Sequence, residues 1–179
     1  MSSLRLTPPS YIVLGLLSEL GEATPYTLKQ LAANGIGNLW SLQHAQLYRE
    51  TERLADAGYL TERRESEGRR RKLYRVTDEG RRALAEWLAT PTAEYTELRD
   101  LALLKLALGT DPATIAPVQL ELHRNKLREY EQLRALSGKV EDLPPEARGA
   151  VLALEAGIGH EREYVRFWSR LAKERGAAN

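Results

Sequence analysis

The stretch SLQHAQLYRETERLADAGYLTERRESEGRRRKLYRVT, residues 41–77, decides how this chain folds. Ser41 to Ala57 has helical periodicity. Leu42, Ala45, Leu47, Tyr48, Leu54 and Ala55 supply an apolar side, and Ser41, Gln43, His44, Gln46, Arg49 and Arg53 are left for solvent or a partner. Ser41 is placed to cap this helix, and Asp56-Ala57-Gly58 ends it. Tyr59-Leu60-Thr61 reads as a strand. A hydrophilic tip from Arg63 to Lys72 follows, and Leu73-Tyr74-Arg75-Val76-Thr77 reads as a return strand. Helix, strand, cation-loaded hairpin tip and strand is the order of a winged helix-turn-helix with a two-stranded wing.

The flanking sequence agrees. A core helix is expected over Ser10–Leu20, capped by Ser10 behind Pro8-Pro9 and ended by Gly21. Thr24-Pro25 starts a second helix carrying Tyr26, Leu28, Leu31 and Ala32, which stops at Asn34-Gly35. After the wing, Thr77-Asp78-Glu79 opens a fourth helix running to Thr90, with acidic residues at the positive end of its dipole. Thr90-Pro91-Thr92 is the expected boundary between a winged helix-turn-helix domain, residues 1–90, and a second domain, residues 91–179. The second domain reads as all helix: Leu98–Leu108, a turn or short helix from Asp111-Pro112 to Ala116, a longer helix Pro117–Leu136, and a last helix Pro145–Lys173. The fold class is mainly α. Two seams run through the second domain. Leu120, Leu127 and Tyr130 form one, with Leu133 and Leu136 nearby. Val151, Leu154, Ile158, Val165 and Trp168 form the other, with Glu161 as a polar intruder. Seams of this length suit either an intrachain core or a homodimer interface.

With 42% hydrophobic and 28% charged residues, the chain has the composition of an ordinary globular protein. No apolar run approaches the roughly 20 residues that span a bilayer. The first residues lack the apolar core of a secretory signal, so an intracellular, cytoplasmic protein is expected. There are no cysteines, which excludes disulfides and thiolate metal sites. His44, His123 and His160 lie on three different elements, and no phosphate-binding glycine loop or nucleophile elbow is present. No enzyme, metal site or cofactor is expected. The net charge is only +1, but residues 62–75 hold seven basic and three acidic residues, so positive charge is focused on the hairpin.

That focus suggests a nucleic-acid partner. A helix fits the DNA major groove. Gln43 and Gln46 are suited to adenine edges, and Arg49 or His44 to guanine or phosphate. The wing cations Arg69, Arg70, Arg71 and Lys72 are suited to phosphate, and Gly68 to a tight turn. Tyr26, Tyr48 and Tyr74 lie at or near the same face, where a phenol can pack inward while its hydroxyl reaches a phosphate. One rival reading keeps the fold as a protein–protein interaction module without DNA. Another makes the chain first a small-molecule sensor, with Trp87, Tyr164, Phe167 and Trp168 lining a pocket for an effector.

Several stretches resemble the PadR family of bacterial transcriptional regulators: residues 11–17 (YIVLGLL), 25–28 (PYTL), 46–60 (QLYRETERLADAGYL), 68–80 (GRRRKLYRVTDEG), 87–88 (WL) and 98–106 (LRDLALLKL). The resemblance covers most of the chain and fits the longer subgroup with a helical C-terminal domain. It implies a homodimer joined by C-terminal helices on a two-fold-related operator. It also implies repression, relieved in some members by a small aromatic or hydrophobic effector. The family's tyrosines map to Tyr26 and Tyr48, and its wing glycine and arginine to Gly68 and Arg69. The chain departs at Arg70, where many family wings carry a proline.

Overall fold

The computed structural model describes residues 4–34, 36–40, 42–65 and 71–174. The chain divides into two compact units, Met1–Tyr95 and Thr96–Asn179. The segment from Pro91 to Asp100 has no regular secondary structure, and the division falls within it, a few residues after the expected Thr90 boundary.

The first unit contains α1 (Pro8–Leu20), α2 (Pro25–Asn34), a 3-10 turn (Ile36–Asn38), α3 (His44–Asp56), β1 (Leu60–Arg64), β2 (Lys72–Val76) and α4 (Asp78–Ala89). α1 starts two residues earlier than expected. Thr7 is its N-cap, and Pro8 and Pro9 are accommodated in the first turn, where the missing N–H groups cost no helical bond. Ser10 is therefore not the cap. It is fully buried in that first turn, and its hydroxyl accepts from Thr7 N at 2.8 Å. α2 starts as expected, with Thr24 Oγ1 accepting from Thr27 N at 3.2 Å.

β1 and β2 pair antiparallel, with Leu60 opposite Val76 and Arg64 opposite Lys72. The loop after α1 adds one further bridge: Ala23 N donates to Tyr74 O at 3.1 Å and Tyr74 N to Ala23 O at 2.9 Å. Tyr74 is fully buried, so it belongs to the core and not to the outer face. Its hydroxyl donates to Glu62 at 3.2 Å. The core gathers Val13, Leu14 and Leu17 of α1, Leu28 of α2, Leu47 and Leu54 of α3, and Leu60, Tyr74 and Val76 of the sheet. Each such apolar side chain contributes about 1.5–3 kcal/mol by leaving water. α4 closes the unit. Thr77 caps it by accepting from Gly80 N at 3.1 Å, and Gly80 lies so close to the strands that an added Cβ would stand 2.4 Å from the Tyr59 carbonyl oxygen.

The second unit contains α5 (Leu101–Ala107), α6 (Pro112–Leu136), a 3-10 turn (Val140–Asp142) and α7 (Pro145–Glu174). α5 is shorter than expected because Asp100 caps it, its Oδ1 accepting from Ala102 N at 2.8 Å and Leu103 N at 2.9 Å. α6 is one helix where a break before Pro117 was expected. The proline removes one backbone hydrogen bond. Continuing the helix, however, keeps fully buried Ala116 in the cluster around Trp168, against which Leu120 also packs. α6 and α7 form an antiparallel hairpin with cross-helix ion pairs Arg134–Glu155 and Arg162–Glu131, both at 2.8 Å. Gly157 lets α7 approach the Tyr130 ring, which an added Cβ would meet at 3.0 Å.

Candidate nucleic-acid interface

α3 decides which side chains are presented. Its buried positions are Leu47, Glu50, Thr51 and Leu54, an i, i+3, i+4, i+7 stripe. This corrects the expected apolar side, because Ala45 and Tyr48 are exposed and two polar residues are buried in their place. Both polar residues are satisfied. Thr51 Oγ1 donates to Tyr48 O at 2.8 Å. Glu50 accepts from Ser10 Oγ at 2.5 Å and from Arg53 Nε at 3.0 Å. Arg53 Nη2 also donates to Ser10 Oγ at 2.9 Å, and Arg53 Nη1 to Arg5 O at 3.2 Å. The Ser10 hydroxyl thus uses its one donor and two acceptor sites, and the network binds α3 to the start of α1. The Glu50 carboxylate beside Arg53 pushes the guanidinium pKa up. Arg53, expected to face a partner, is committed to this network instead.

The outward face of α3 carries Ala45, Tyr48, Arg49 and Glu52, with Gln46 half-buried and Gln43 exposed at the N-cap position. Arg49 Nε donates to Ala45 O at 3.2 Å, which lays its stem along the helix. On α2, Tyr26 is exposed, its hydroxyl accepts from Gln30 Nε2 at 3.2 Å, and the Lys29 ammonium lies 5.8 Å from its ring. His44 opens α3, but its side chain is not described. Ser41, Gly68, Arg69 and Arg70 lie outside the described residues. Leu39 and Trp40, exposed just before α3, escaped the sequence reading. Their only signal was two large apolar residues in a turn.

The wing is more self-contained than its sequence suggests. Arg71 is held by Glu65 through two hydrogen bonds of 2.9 and 3.0 Å, and Arg63 by Glu22 through two of 2.7 and 3.3 Å. Lys72 Nζ lies between Glu52 of α3 at 2.9 Å and Glu62 of β1 at 3.2 Å. The hydrogen bond from Arg63 holds the Glu22 carboxyl below the usual carboxylate range, and Arg71 does the same for Glu65. Partial burial raises the Glu62 pKa, but hydrogen bonds from Lys72, Arg64 and Tyr74 outweigh it and leave the carboxyl low. Glu52 and then Glu62 push the Lys72 ammonium up. Lys72 therefore bridges wing and helix, and Arg71 closes the base of the tip.

In the second unit, Tyr130, Val151, Ile158 and Trp168 are covered by their own chain, and Leu120, Leu127, Leu154 and Val165 are half-buried along the same helices. Glu161 is buried too, 2.6 Å from His123 Nδ1 across the two helices. Tyr164 packs between His123 and His160, with ring centroids 4.5 Å from each, and Phe167 meets Trp168 edge-on at 4.8 Å. Among the described residues, Tyr164 Oη and Trp168 Nε1 are buried without a hydrogen-bond partner. Burial, with the nearby Asp100 charge, pushes the Tyr164 phenol up to about 12. Of the four aromatic residues expected around an effector, Tyr164, Phe167 and Trp168 come together. Trp87 belongs to the first unit, where it stacks on Tyr11 with centroids 4.4 Å apart. Among the described residues, no group of three or more His, Asp or Glu is placed to hold a metal, and no helix is long and apolar enough to cross a membrane.

The first unit's order of elements, with its two-stranded wing, defines a winged helix-turn-helix protein. Residues 13–86 match the model of the transcriptional regulator PadR-like family. Over 166 residues the chain is 30% identical to the negative transcriptional regulator PadR of Bacillus subtilis, covering 87% of this chain and 90% of that protein. The chain belongs to the PadR-like family of transcriptional regulators, a family of regulators and not of enzymes. Among solved structures it is similar to B. subtilis PadR in complex with operator DNA, with a TM-score of 0.80 and 26% identity over 94% of this chain and 99% of that one. It is similar to PadR in complex with p-coumaric acid, with a TM-score of 0.71 and 25% identity over 95% and 98% of the chains. It shares its fold with the Vibrio cholerae virulence activator AphA, at a TM-score of 0.70 and 24% identity over 96% and 99%.

The Glu50 network yields a stability prediction. Glu50→Ala leaves Ser10 and Arg53 without their shared acceptor and is expected to cost about 1–3 kcal/mol in urea denaturation. Arg49→Ala, on the outward face of the same helix, is expected to stay within about 0.5 kcal/mol of wild type. Equal effects would show that Glu50 does not anchor α3.

Proposed function

We propose that this chain is a sequence-specific DNA-binding repressor of transcription that acts in the cytoplasm as a homodimer on a pseudo-palindromic operator. The observation that carries this reading is the outward face of α3, where Tyr48 and Arg49 are exposed and Gln43 stands at the N-cap, on the helix that Glu52 ties to the wing through Lys72. The likeness to a PadR structure bound to operator DNA supports it. Gln43, Gln46, Arg49 and His44 are assigned to base edges and adjacent phosphate, and Tyr26, Ser41 and Tyr48 to phosphate. Arg69, Arg70 and Arg71 are assigned to phosphate beside the groove. Arg53 and Lys72 are assigned to holding α3 and the wing in place.

The second unit supports the dimer through a face that its own core leaves open. On α6, Val118, Leu122, Leu133 and Leu136 are exposed and fall within about a sixth of the helix circumference. They lie opposite the face that carries Leu120, Leu127 and Tyr130. A helix apolar on two sides suits one face packed within the chain and another packed against a second copy. The residues that cover each other within the chain, Ile158 and Trp168 among them, are assigned to the subunit core.

Effector release has its own support. Among the described residues, Tyr164 Oη and Trp168 Nε1 are two buried polar groups without hydrogen-bond partners inside an aromatic cluster, a composition suited to a planar ligand with a polar end. The likeness to PadR bound to p-coumaric acid points the same way.

Three outcomes are expected. Selection of bound duplexes from a random pool yields two inverted half-sites about one helical turn apart; a pool that never enriches overturns the reading. The Leu122→Glu, Leu133→Glu variant sediments as a folded monomer, whereas Ile158→Glu loses folded structure; a double variant that remains a dimer removes α6 from the interface. p-Coumaric acid, used as the probe, releases the selected duplex from wild type and at least tenfold less effectively from Tyr164→Phe; equal release from both removes the cluster as its site.

A further inference from the structure

The described wing residues, 60–65 and 71–76, include five cations: Arg63, Arg64, Arg71, Lys72 and Arg75. Four are engaged by carboxylates. Arg63 is held by Glu22, Arg64 Nε lies 3.3 Å from Glu62, Arg71 is held by Glu65, and Lys72 is shared by Glu52 and Glu62. Only Arg75 has no carboxylate within 4 Å among the described residues. The partners come from three places: the loop after α1 supplies Glu22, α3 supplies Glu52, and β1 with its continuation supplies Glu62 and Glu65. Two of the pairs are two-point contacts, a geometry that holds the guanidinium plane against the carboxylate.

We propose that Glu22, Glu52, Glu62 and Glu65 are specificity-determining residues that screen the wing, so that its arginines and lysine add little to binding of arbitrary DNA. The inference rests on the DNA-binding reading above. Non-specific binding is a counterion-release effect and responds to the net charge a surface presents to the duplex. A cation paired with a carboxylate presents almost none, and the carboxylate stays within a Debye length of the phosphates and repels them. The pairs nonetheless open at little cost, since exposed ion pairs are worth about 0–1 kcal/mol. A duplex in the correct register, with α3 seated in the groove, brings phosphates close enough for the arginines to exchange partners. On any other duplex the exchange has no such guidance. The carboxylates therefore lower the non-specific background more than the specific affinity, which widens the ratio between the two.

The arrangement also separates roles within the wing. Glu52 projects from the outward side of α3, and its bond to Lys72 holds the wing at a fixed distance from that helix. Glu65 closes the base of the tip through Arg71, and the backbone agrees, with Glu65 N donating to Arg71 O at 3.1 Å. The screen is thus part of the wing's architecture.

The test uses the full chain with the Glu22→Gln, Glu65→Gln double variant, which frees Arg63 and Arg71 without touching the core. Affinities for a selected duplex and for a scrambled duplex are measured between 50 and 200 mM salt. For scrambled DNA, the loss of affinity across that range is expected to grow about threefold per freed cation, or about tenfold in all. Affinity for the selected duplex is expected to rise less, so the specificity ratio falls. The Glu97→Gln, Glu163→Gln variant makes the same charge change at ion pairs far from the wing in sequence and is expected to leave the ratio unchanged. Circular dichroism checks that each variant is folded, and the single variants Glu22→Gln and Glu65→Gln, each expected to show half the logarithmic effect, serve if the double variant is not. The inference is overturned if the wing variants bind scrambled DNA as wild type does, or if both duplexes tighten equally. If wild type itself shows no salt-sensitive duplex binding, the DNA-binding reading falls and takes the inference with it.

Discussion

A carboxylate beneath a helix is retained only where its oxygens are bonded, because an unpaired buried charge costs several kcal/mol. Glu50 meets that condition through Ser10 and Arg53, and in doing so fixes the rotation of α3 about its axis. Rotating the helix by one residue, about 100°, would pull Glu50 off Ser10 and drive an outward polar side chain into the core. Which of Tyr48, Arg49 and Glu52 faces outward therefore depends on a bond made to the first turn of α1. Hydrophobic packing of Leu47 and Leu54 draws the helix in, and the polar network sets its angle.

The wing follows from the same helix. Leu60 and Val76 seat the hairpin in the core, and Tyr74 is locked by the bridge to Ala23, so the strands cannot slide without turning their core residues outward. Lys72 then spans from β2 to Glu52 of α3. A basic hairpin tends to be treated as a free set of positive charges. Here four of its described cations already have partners, and what a duplex meets is a surface of exchangeable pairs.

In the second unit, α6 carries the architecture on two faces. One packs on α7 through Ala116, Leu120 and Tyr130, with the His123–Glu161 pair inserted across the helices. The other presents Val118, Leu122, Leu133 and Leu136. Burying the first face leaves the second uncovered by the described residues of this unit.

Much of this was legible in the sequence. Period-3.6 patterns bounded by Thr24-Pro25, Gly58 and Thr77 marked α2, α3 and α4, and the Leu73–Thr77 run behind the hydrophilic tip marked the return strand, because both signals lie in neighbouring residues along the chain. The family resemblance was carried by residue order alone. Other features were not legible. Glu50 and Thr51 look like surface residues, and only the packing of α3 buries them, Glu50 against Ser10 from 40 positions away. Arg63 and Lys72 look like free cations until the fold brings Glu22 and Glu52 to them. Pro117 looks like a break until Ala116 is found beside Trp168. Local sequence determined which segments are helix or strand and where they stop, since those depend on neighbours along the chain. The tertiary structure alone decided that Glu22 reaches Arg63, that Glu52 reaches Lys72 and which apolar face is left open, since these depend on which distant residues the packed core brings within a few ångströms.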